Sequence, residues 1–99
     1  MITTPTKTCD QLAFMASKVL LMPLDKIQDM SSNSQRAAEN RYMIYSIMET
    51  SGYTHQQIAD YFKISRESVT KGLSKLKVWL DVYQDTKNNY QRLTILVLK

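Results

Sequence analysis

Glycine and proline each occur only twice in these 99 residues, and cysteine and histidine once each. Each scarcity excludes something. Two isolated glycines, Gly52 and Gly72, cannot make a glycine-rich phosphate cradle, neither a P-loop nor a dinucleotide fingerprint. One cysteine, Cys9, excludes an internal disulfide and suits a reducing compartment. Cys9 and His55 alone cannot supply a zinc site of the usual Cys/His kind, so no metal and no cofactor is expected. No serine sits in a nucleophile-elbow sequence, and His55 between Thr54 and Gln56 reads as an exposed first-turn helix residue. Enzyme is the weakest function class. No apolar run approaches the ~20 residues of a membrane span, and MITTPTKTCDQ lacks the apolar core of a signal peptide. The expectation is a mature, soluble, cytoplasmic chain. At 99 residues it forms one domain, with residues 1–7 disordered.

The charge is unevenly placed. The chain carries a net charge of +4. Residues 63–77 hold Lys63, Arg66, Lys71, Lys75 and Lys77 against Glu67, so this one segment equals the whole net charge. A concentrated basic element on a nearly neutral body is an electrostatic footprint for phosphates. Its bland counterpart is a solvated helix face.

With so few helix breakers and no sustained alternation, the chain reads as all-α, with about six helices. The first is expected from about Cys9 to Met22, capped by Thr8 and ended by Pro23. Leu12, Met15, Ala16, Val19 and Leu20 form its inner face, and Phe14 and Leu21 project from the other side. A short helix, Leu24 to Met30, can follow directly. SSNS, residues 31–34, is a loop. A long helix from Gln35 to Thr50 has the stripe Ala37, Ile44, Tyr45, Met48, with Arg41 at its edge and its charged head in water; Gly52 terminates it. Thr54-His55-Gln56-Gln57 has the form of a capping box and opens a helix through Phe62. Lys63-Ile64-Ser65 is the turn, and Ser65 caps a helix from Arg66 to about Gln84, striped by Val69, Leu73, Leu76, Leu80 and Tyr83. LTILVL, residues 93–98, could be a strand, but a lone strand has no partner here. Helix is the reading for Asp85 to Lys99, with Thr86 or Asp85 as cap. Ile95, Leu96 and Leu98 add apolar sides to it.

Residues 54–84 thus spell a helix-turn-helix. Ala59 lets the helices approach, and Ile58, Phe62, Ile64 and Val69 fill the wedge between them. Glycine is common in such turns, and Lys63 stands there, which an ordinary backbone angle would permit. The outward side of the second helix is polar, as a major-groove reader requires. A generic helical hairpin would show much of the same pattern.

Two resemblances bear on this segment. Ile64-Ser-Arg-Glu-Ser-Val-Thr-Lys71 resembles the start of the recognition helix in the cyclic-AMP receptor protein family of transcription factors. That resemblance implies Arg66 on a guanine, Glu67 on a cytosine amine, and Lys71 on a base or phosphate. Over residues 8–99 the layout is similar to the C-terminal DNA-binding domain of the bacterial chromosomal replication initiator DnaA, in the Trp-repressor-like superfamily. The similarity runs through CDQLAFMASKVLLMPLDKIQDM, SQRAAENRYMIYSIMET with Arg41 at the family's arginine, YTHQQIADYF and DTKNNYQRLTIL. It implies a six-helix DNA-binding domain. The family's Asp-His-Thr-Thr-Val is replaced by Arg66-Glu67-Ser68 before Val69. Its basic loop is reduced to a single arginine, Arg36, and its ATPase module is absent.

The expected function is double-stranded DNA binding by a transcription or replication regulator associated with the nucleoid. Arg66, Glu67, Ser68, Thr70 and Lys71 would face the major groove. Lys63, Lys75, Arg36, Arg41 and the amide ends at Thr54 and Ser65 would hold the backbone. A homodimer, through the outer face of the first helix or the C-terminal tail, would supply a second copy of the motif. The alternative is a protein-interaction module that keeps the fold without specific DNA binding.

Overall fold

A computed structural model describes residues 7–29 and 34–97. They form six α-helices: α1 (Cys9–Leu20), α2 (Leu24–Gln28), α3 (Gln35–Thr50), α4 (His55–Phe62), α5 (Arg66–Val82) and α6 (Gln84–Val97). No strand occurs among the described residues, so the 93–97 segment is helical as expected. The Cα radius of gyration, 12.4 Å, is that of a close-packed chain of this length. No helix among the described residues is long and apolar enough to cross a membrane.

α3 is the hub and packs against each of the other five helices. This corrects the single-stripe reading. Asn40, Arg41, Met43 and Ile47 are buried along with Ala37, Ile44, Tyr45 and Met48, because neighbours cover the helix on most sides. α1 packs on α3 and α6 through Leu12, Ala13, Ala16 and Leu20, with Met15 and Val19 half-buried. Phe14 and Leu21 point outward as expected. Ile58, Ala59, Phe62 and Val69 close the α4–α5 wedge, with Ile64 packed against them.

Local chemistry sets the helix starts. Thr8 Oγ1 accepts from Gln11 N at 3.1 Å while Thr8 N donates to Gln11 Oε1 at 2.9 Å. Thr54 and Gln57 repeat the same reciprocal pair at α4. Ser34 and Ser65 cap α3 and α5.

The ends of α1, α3 and α4 follow one device, with a backbone N–H reaching five residues back. Met22 N donates to Ser17 O, Tyr53 N to Met48 O and Ile64 N to Ala59 O. Each closure needs a residue at positive φ. Gly52 supplies one at 111°, but Leu21 (56°) and Lys63 (59°) supply the others. So α1 stops at Leu20, before the residues that Pro23 restricts, and Lys63 does not have the ordinary angle the turn was expected to have. α2 ends at Gln28, short of Met30. Thr86 does not cap α6, which begins at Gln84. Its buried hydroxyl instead donates to Glu39 Oε1 of α3 at 3.1 Å. The disorder expected for residues 1–6, the loop residues 31–33 and Leu98 lie outside the described residues. Lys7 is held in place, since Tyr53 Oη donates to its carbonyl at 2.6 Å.

Candidate nucleic-acid interface

α5 packs its Val69, Gly72 and Leu76 side inward and turns Arg66, Glu67, Thr70, Lys71 and Ser74 to solvent. Gly72 permits this closeness. A Cβ there would sit 2.7 Å from Tyr42 Cδ1 and 3.0 Å from Tyr45 Cε2 of α3. Tyr42 in turn lies against Trp79, with ring centroids 5.5 Å apart, which makes Trp79 a packing residue. α5 therefore rests on a bed of aromatic rings, and its polar side is held outward by packing.

The sequence-derived site residues divide into groups. Arg66 and Glu67 stand exposed in the first turn of α5. Lys63, Lys71, Lys75 and Lys77 are exposed on the same part of the molecule, and none is in an ion pair among the described residues. Ser68 is half-buried and occupied by the cap. Its N–H donates to Ser65 Oγ at 3.2 Å, and the two hydroxyls are 2.9 Å apart. Thr54 and Ser65 also spend their side chains on capping. What they leave to a ligand is the amides of His55 and Gln56 in α4 and of Arg66 and Glu67 in α5, since the caps take those of Gln57 and Ser68.

Thr70 is engaged on both sides, donating to Arg66 O at 3.2 Å and meeting His55 Nδ1 at 2.9 Å. The other ring nitrogen of His55 lies 2.5 Å from Glu49 Oε2. His55 thus bridges the end of α3 to the outward side of α5. Glu49, absent from the sequence-derived set, brings a carboxylate to this surface.

Two placements correct the expectation. Arg41 is 4% exposed, and its Nε donates to Ile27 O at 3.1 Å across the α2–α3 contact. It is an internal tie between helices and does not reach a backbone phosphate. Arg36 is exposed but sits elsewhere. It lines a groove of about 370 Å³ with Glu39, Val82, Tyr83 and Gln84, at the C-terminal end of α5. Arg66 is at the other end of this 17-residue helix, about 25 Å away.

Two smaller hollows flank α5. One, about 200 Å³, is lined by Glu49, His55, Thr70, Leu73, Ser74 and Lys77. The other, about 190 Å³, is lined by Tyr42, Tyr45, Ser68, Lys71, Gly72 and Lys75. Periodicity could not show either, because each needs α3 laid against α5. No family model, curated protein or solved structure matches this chain.

Proposed function

We propose that this domain binds double-stranded DNA, with α4 and α5 acting as a helix-turn-helix and α5 entering the major groove. This is the role that the resemblance to the replication initiator's DNA-binding domain also implies. The observation that carries the reading is the joint placement of charge and shape. Five basic side chains between Lys63 and Lys77 surround the part of the helix that packs Val69, Gly72 and Leu76 inward. Its first turn then offers a guanidinium and a carboxylate to base edges, the chemistry that tells base pairs apart. Arg66 and Glu67 are the base readers, while Lys63, Lys71, Lys75, Lys77 and the first-turn amides of α4 and α5 meet phosphates. Such a protein acts as a transcription or replication regulator.

Selection from a random-sequence duplex pool tests this. An enriched motif is expected. Arg66→Ala should lose roughly 1–3 kcal/mol on that motif and relax one position in it. Equal loss on all sequences would assign Arg66 to a phosphate, and no enrichment would remove sequence reading.

A protein-interaction role has one observation in its favour. Val78 and Val82, four residues apart on the C-terminal part of α5, lie exposed, as does Tyr83 just after the helix. A second copy of the domain, forming the homodimer a single motif needs for tight binding, would also account for the exposed Ile95 and Leu96 of α6. Sedimentation at high concentration, with and without DNA, separates monomer from dimer.

A further inference from the structure

A helix lying in the major groove has a phosphate backbone along each flank, so the two hollows beside α5 are compared on chemistry. The hollow lined by Glu49 contains a carboxylate, which opposes an anion. The hollow on the Tyr42 side has no acidic residue in its wall and has Lys71 and Lys75, one helical turn apart, at its rim. A second observation points the same way. Tyr45 is 1% exposed and lines this hollow, and its hydroxyl, which is not sealed from solvent, has no hydrogen-bond partner among the described residues. Burial also pushes the Tyr45 phenol up to about 12, so it remains a proton donor at neutral pH.

Resting on the DNA-binding reading above, we propose that this hollow seats one backbone phosphate of the duplex. Lys71 and Lys75 supply the charge and Tyr45 a hydroxyl donor. The seat gives Lys71 and Lys75 one shared phosphate. It fixes how far α5 advances along the groove, because the phosphate is gripped against α3, the hub of the fold. A volume of about 190 Å³ has room for a phosphate group with part of its sugar. Tyr42 and Gly72 form the rest of the seat by holding α3 and α5 at their close spacing.

The test is duplex binding over a salt series by wild type, Lys71→Ala, Lys75→Ala and Tyr45→Phe. A parallel set of duplexes carries one neutral methylphosphonate at each position in turn. Each lysine variant should lower the salt slope by about one and leave sequence preference unchanged. Tyr45→Phe should weaken binding roughly tenfold, as expected for a lost hydrogen bond to an anion, with no loss of melting temperature. One methylphosphonate position that weakens wild type should weaken each of these three variants by a smaller factor. Relaxed preference at one base pair with an unchanged slope in Lys71→Ala would restore Lys71 to base reading and overturn the seat alone. Unchanged binding by Tyr45→Phe would also overturn it. Failure of wild type to bind any duplex at low salt would overturn the DNA reading and the seat with it.

Discussion

Lys63 has two roles that pull in different directions. Its backbone lies in the left-handed region at φ 59° and ψ 47°, where its N–H closes the end of α4 onto Ala59 and Asp60. An L-residue there costs about 1–2 kcal/mol over glycine, part of which returns through glycine's freer unfolded chain. Its ammonium, meanwhile, stands in the turn beside the proposed phosphate path. Lys63→Gly should therefore raise stability by about 0.5–1 kcal/mol in a urea titration while weakening duplex binding at low salt. A loss of stability would mean that the lysine stem packs where the structure shows it exposed. Arg41 is the opposite case. The sequence places it on the apolar stripe of α3, and the choice between a solvated head and a buried one depends on α2, whose Ile27 carbonyl receives its Nε proton.

Gly72 sets the spacing of α3 and α5, at the scale of the elements. Within a helix, alanine is favoured over glycine by about 1 kcal/mol. Here the added methyl would fall under 3 Å from the Tyr42 ring, which Trp79 and Tyr45 confine. Overpacking of this kind costs about 1–3 kcal/mol. Gly72→Ala should then lower stability by roughly 1–2 kcal/mol in the same titration, and a gain would show that the rings yield freely. What could be read from sequence follows the same division. The Thr8–Gln11 and Thr54–Gln57 boxes are legible because both partners lie within one turn of each other. The outward polar side of α5 is legible from its period. The left-handed Leu21, the Thr86–Glu39 bond, the His55 bridge and the Tyr45 hollow each depend on a second helix that sequence spacing does not place.

At the scale of the whole molecule, the aromatic interior ties stability to pH. Burial pushes the phenols of Tyr45 and Tyr61 up to about 12, and Asp10 adds to the shift at Tyr61. Unfolded tyrosine ionises near pH 10, so the fold binds these protons more tightly than the unfolded chain. Their contribution is complete below about pH 10 and is lost as pH rises toward about 12. Denaturant midpoints should be flat up to about pH 9 and fall beyond about pH 10, and a midpoint unchanged at about pH 11 would show both phenols to be solvated.

The largest charge feature of the molecule is its basic face around α5, and the central claim is that this face meets DNA phosphates. The most direct measurement is equilibrium binding of the intact chain to a labelled duplex of random sequence, from low to physiological salt. The account predicts binding at low salt, with the logarithm of affinity falling linearly with the logarithm of salt concentration. The slope should be several units steep, matching several phosphates neutralised. Absence of binding at the lowest salt, or binding indifferent to salt, would contradict it.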